Sequence, residues 1–194
     1  MRSFLLTATL AVMISGCANS PQAKFYTLSA RAPQERAQTR TAPVSIAIDA
    51  VTVPDLVDRP QIVVRIDSTQ VGIDEFARWA EPLKAQITRV LAADLAQSVP
   101  GALVSGDPQW AQGAQAYRVV VDVQSFESRL GDTAMIAVLW TVRPPKGGEA
   151  VSGRSTVQEP AHGQNYDALV DAHSRALTTV SSDIASAINA ALRP

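Results

Sequence analysis

Three β-rich runs follow one another closely in the second half of the chain, and their spacing restricts the fold more than any other feature. Residues 117–126 alternate: Tyr117, Val119, Val121 and Val123 share one face, Arg118, Asp122 and Gln124 the other, with Val120 the exception. A period of two predicts a strand with one wet face. Residues 134–142, AMIAVLWTV, are apolar on both faces, which predicts a strand lying centrally in a sheet. A proline- and glycine-rich turn at 144–148 ends that run, and 151–157 returns as its neighbour. Connections this short join antiparallel strands, so the three runs form a meander.

Earlier runs behave alike. Residues 44–53, VSIAIDAVTV, are rich in β-branched side chains and stop at Pro54, and QIVVRI at 61–66 is a second such run. Residues 25–28 predict the first strand. Two stretches have helical period instead. After Pro82, placed at a first helical turn, Leu83, Ile87, Val90, Leu91 and Leu95 make one apolar stripe that ends near Pro100. Leu169, Ala172, Ala176, Leu177, Val180, Ile184, Ile188 and Ala191 repeat the pattern, with Asp171, Arg175 and Asp183 on the polar side. Each helix is expected to cover one face of the sheet. The fold class is α+β, with a mixed or antiparallel sheet and two amphipathic helices packed on it.

What holds such a fold must be its core. The chain has one cysteine, Cys17, so no internal disulfide can form, and the spacing of a metal site is absent. At 46% hydrophobic and 18% charged it is not a disordered protein, and a net charge of −1 gives no electrostatic reason to bind nucleic acid.

The place of Cys17 explains its presence. Met1-Arg2-Ser3 is a short positive start, and the uncharged run 4–14 is too short to span a bilayer but fits the apolar core of a secretory signal. Ile14-Ser15-Gly16-Cys17 resembles the lipobox of bacterial lipoproteins. That resemblance implies removal of residues 1–16, a diacylglyceryl group on the Cys17 sulfur and an acyl chain such as palmitate on its amine. One acyl chain attaches a protein only reversibly, whereas three on one residue hold it durably. Ala18 stands where aspartate tends to retain lipoproteins at the inner membrane, which implies the outer membrane and its periplasmic face. No other cofactor is expected. Residues 17–23 form a lipidated tether and 24–194 one periplasmic domain. The seven residues 18–24 reach at most about 25 Å, so the body sits close to the bilayer. Residues 30–43, with three arginines and two prolines, read as a mobile loop between the first two strands.

Four further pieces carry a resemblance. Tyr26-Thr27-Leu28, Val53-Pro54, Asp58-Arg59-Pro60-Gln61-Ile62-Val63 and Arg78-Trp79-Ala80-Glu81-Pro82-Leu83 follow the lipobox in order. Together they resemble the PqiC/YmbA family, the auxiliary lipoproteins of ABC-type transport systems. The resemblance implies a docking role toward an MCE-domain protein that spans the periplasm and moves lipid, without chemistry of its own. An outer-membrane assembly or envelope-integrity lipoprotein with another partner, and a lipid carrier with its own cavity, are the alternatives. A second copy of the chain stays open as a partner.

The residues themselves allow two roles for Asp55, Asp58, Arg59, Pro60, Arg78 and Trp79. Pro54 and Pro60 bracket a rigid loop, the carboxylates can cap loop N–H groups or pair with Arg59 or Arg78, and Trp79 can cover the core edge before a helix start. That set either staples the loop to the helix terminus or presents a partner-binding edge. No catalytic set is visible: His162 falls in a turn between Pro160 and Gly163, His173 lies within the C-terminal helix beside Asp171, no Gly-x-Ser-x-Gly occurs, and PPKGGE at 144–149 lacks the Lys-Ser/Thr of a phosphate loop.

Overall fold

The computed structural model describes residues 21–33, 43–107 and 115–192. Cys17 and its signal-like approach lie outside the described residues, as do residues 34–42 of the expected loop.

The fold is α+β, with two sheets. The larger contains β2 (Val44–Thr52), β5 (Ala102–Ser105), β6 (Ala116–Ser128), β7 (Thr133–Arg143) and β8 (Val151–Pro160), in the order β5-β2-β6-β7-β8. β2 runs parallel to β5 and β6, and β6, β7 and β8 form the expected antiparallel meander. Tyr117, Val119, Val121 and Val123 are buried as their alternation predicts. A bulge between Val123 and Ser125 then shifts the phase, which turns Phe126 and Ser128 inward as well.

Helices α1 (Leu83–Ser98) and α2 (Tyr166–Ala191) pack against each other on the same side of this sheet, α1 over β2 and β5, α2 over β7 and β8. Their stripes meet Ile46, Ile48, Val119, Val121, Ile136 and Val138 in one core. With both helices on one side, β7 is less enclosed than its composition predicts: β6 is the middle strand, and Leu139 on the outer face of β7 is exposed. Pro82 is the residue before α1, not its first turn, and its carbonyl accepts from Ala85 and Gln86. Gly101, at φ 72°, turns the chain from α1 into β5. Asn165 caps α2 by accepting from the Ala168 N–H at 3.0 Å.

The smaller sheet, β1 (Lys24–Tyr26), β4 (Val71–Trp79) and β3 (Gln61–Arg65), has the order β1-β4-β3, with β1 parallel to β4. Its inner side closes the end of the core where β6 passes its bulge and α2 begins. Trp79 meets Phe126 edge-on at 6.1 Å, and Tyr26 lies 5.7 Å from Tyr166, centroid to centroid. Among the described residues no helix is long and apolar enough to cross a membrane.

Candidate docking surface

Beyond β1 the chain leaves its sheet, and its backbone polar groups need partners wherever they are buried. Both helices supply them. The Leu28 N–H donates to Gln86 Oε1 at 2.7 Å, Ser29 N–H to Ser174 Oγ at 3.1 Å, and Arg31 N–H to Asp94 Oδ1 at 2.8 Å. In return Arg89 donates to Thr27 Oγ1 and the Leu28 carbonyl, and Gln97 to the Arg31 carbonyl. Gln86 and Asp94 are buried polar residues on an otherwise apolar helix face, and each is satisfied twice: Gln86 also donates to the Glu81 carbonyl, and Asp94 accepts from Thr178. Thus the segment expected to begin a mobile loop is strapped down as far as Arg31.

The loop between β2 and β3 is compact. The Pro54 carbonyl accepts from Val57 and Asp58, and the Pro60 carbonyl accepts from the Trp79 N–H at 2.7 Å, which binds the loop to the end of β4. Asp58 Oδ2 lies 2.6 Å from Lys84 Nζ, so its cation is Lys84 on α1, not Arg59 or Arg78. Asp55, Asp58 and Pro60 are exposed, Arg59 and Arg78 half-buried, and Trp79 is in the core at 5% exposure. Arg59 Nε is buried and finds no hydrogen-bond partner among the described residues. The six residues singled out from sequence therefore gather around one loop and strand end. Of these, Trp79 faces inward.

A second surface escaped the sequence reading. On the outer side of the small sheet Phe25 pairs with Arg78 in register, and Ile73 and Phe76 are also exposed. The β3–β4 register shifts between Gln61 and Ile62, leaving residues 75–77 bulged out of β4. Asp74 holds that bulge: its Oδ1 accepts from the Phe76 N–H at 2.8 Å and the Ala77 N–H at 3.2 Å. The Phe76 N–H bond, with help from the Tyr166 hydroxyl, holds the Asp74 carboxyl below its usual range. Burial, followed by the bond to Asp74, pushes Tyr166 up to about 12. A carboxylate and two backbone donors are thus committed to presenting Phe76 outward.

In the interior, His173 stacks on Phe126 at 3.9 Å and 6°, with Nε2 2.8 Å from Ser128 Oγ. Burial alone pushes its pKa down to about 3, so the ring is neutral and its role is packing. Open depressions flank the strapped segment, one of about 450 Å³ bordered by Arg31, Asp171 and Arg175 and one of about 270 Å³ bordered by Phe25 and Asp167. Another of about 600 Å³ is bordered by Arg118 and Arg143.

The model of the family described as "ABC-type transport auxiliary lipoprotein component" matches residues 26–185, a span from the end of β1 almost to the end of α2. The chain belongs to this family. Its role is therefore that of an auxiliary component of ABC-type transport, and the family's description points to a non-enzymatic part and to membrane anchoring in the cell envelope. Solved structures share the fold. One, described as an uncharacterized protein, aligns with a TM-score of 0.72 at 21% identity, covering 87% of this chain and 99% of that one. Protein XCC0632 from Xanthomonas campestris, of family DUF330, aligns at 0.63 and 19% identity, covering 86% and 99%. No protein of curated function matches.

Proposed function

We propose that this lipoprotein is anchored through acylated Cys17 to the periplasmic face of the outer membrane and docks an MCE-type, Pqi-like intermembrane lipid-transport complex. The family match over residues 26–185 carries this reading. The lipobox and the Asp58-to-Val63 and Arg78-to-Leu83 blocks support the finer assignment. The partner meets the exposed part of the 54–60 loop, where Asp55 and Asp58 stand on a backbone braced by Pro54, Pro60 and α1. A braced loop loses little freedom on binding, which favours affinity. The protein supplies position and no chemistry.

Photo-crosslinking from position 55, with the acylated protein in its native envelope, tests the reading. Recovery of an MCE-domain protein in the adduct is the expected result. Adducts only with a β-barrel assembly protein or with cell-wall material overturn the transport assignment in favour of an envelope-integrity role.

A further inference from the structure

Ten large hydrophobic side chains are exposed among the described residues, and four of them, Phe25, Ile66, Ile73 and Phe76, belong to the small sheet and its hairpin turn. Single exposed hydrophobics are ordinary, whereas a cluster on one face marks a contact surface. Phe25 is 66% exposed, Phe76 46% and Ile73 42%. This exposure is built rather than slack. Alternation alone would not aim Phe76 outward through the bulge, and Asp74 satisfies the two backbone N–H groups that the bulge frees.

We infer that this face of the small sheet, formed by Phe25, Ile73 and Phe76, lies against the lipid surface that holds the anchor. The inference rests on the acylation of Cys17 proposed above. Phe25 stands eight residues after Cys17, at most about 29 Å of extended chain. The segment just downstream is tied to both helices through Leu28, Ser29 and Arg31. Those bonds make β1 the point where the tether enters the rigid body, so the anchor draws this sheet, and not the helices, toward the bilayer. Arg78 stands beside Phe25 on the same face, where a guanidinium suits lipid phosphates. Glu75, also exposed, is held by Gln61 Nε2 at 3.0 Å. Phe25 beside the Arg78 guanidinium, with Ile73 and Phe76 exposed on the same sheet, matches the boundary between headgroups and acyl chains.

The test uses the acylated full-length mature protein reconstituted into phosphatidylethanolamine–phosphatidylglycerol vesicles. With the Cys17 sulfur acylated, Phe76→Cys or Phe25→Cys supplies the free thiol for an environment-sensitive fluorophore, and Thr156→Cys on exposed β8 is the control. All three positions are exposed, so the variants fold. The expected result is blue-shifted emission at 76 and 25 that nitroxide-labelled lipid quenches, with neither effect at 156. Floated protein whose probes at 76 and 25 resist quenching overturns the membrane-facing surface alone. A blue shift without quenching does the same, because it places those positions against protein, a second copy included. Protein that fails to float with the vesicles overturns the anchor, and the proposed surface with it.

Discussion

His173 makes the folded state sensitive to mild acid in a window where no other shifted interior group among the described residues acts. Its ring is fully buried, and burial pushes its pKa from 6.5 to about 3. Between those values the unfolded chain binds a proton that the folded chain excludes, so stability is fully present above pH 6.5 and is lost as pH falls toward 3. The slope approaches about 1.4 kcal/mol per pH unit as pH falls below 6.5. Lowering pH from 6.5 to 5 should therefore cost roughly 2 kcal/mol, a large part of the margin of an ordinary domain. Asp67 and Asp74, whose carboxyls are held low by backbone N–H donors, contribute stability that fades only below about pH 4. Replacing His173 by glutamine removes the titrating group while leaving an amide to meet Ser128 Oγ. The variant should be about 1 kcal/mol less stable at pH 7, from the lost stacking on Phe126, yet nearly flat from pH 6.5 to 5. Urea denaturation followed by tryptophan fluorescence at several pH values measures both curves. Exposed His162 is common to the two proteins, so their difference isolates His173. Equal pH slopes in the two proteins would refute the reasoning.

Trp79→Ala removes a side chain packed edge-on against Phe126 and should cost about 3–5 kcal/mol in the same denaturation assay; an unchanged midpoint would return Trp79 to the list of partner contacts. Asp94→Ala leaves the Arg31 N–H and Thr178 hydroxyl without their acceptor. It should cost about 1–3 kcal/mol and speed tryptic cleavage after Arg31, read by peptide mass. Gly153→Ala sets a methyl against the Trp140 ring, whose Nε1 is held by Ser155 Oγ at 3.0 Å. Crowding there should lower stability by about 1–3 kcal/mol, visible as a reduced thermal midpoint.

How legible each element was in the sequence follows from its physics. The meander and both helices declare themselves because β6 alternates before its bulge, Val120 apart, and because the helix stripes recur over several turns. β4 does not. The Asp74-held bulge breaks its two-residue period, Gly72 and Glu75 interrupt any β-branched run, and Arg78-Trp79 reads as the approach to a helix. With β4 missed, the exposure of Phe76 could not be foreseen. β5, at four residues, is too short to carry a pattern. Gln86 and Asp94 had a signal: polar residues eight apart on the buried side of α1 require partners. Which partners could not be read, since Leu28 and Arg31 approach from some sixty residues away. The ambiguity over Trp79 had the same root, because Phe126, which it packs against, turns inward only after the β6 bulge.

Acyl chains joined to Cys17 underlie both the proposed docking role and the membrane-facing sheet. Intact-mass measurement of the protein extracted from native envelopes tests this directly. The expected result is a polypeptide beginning at Cys17, heavier than its bare sequence by a diacylglyceryl group and one amide-linked acyl chain. A free thiol at Cys17, or any other first residue, would contradict it.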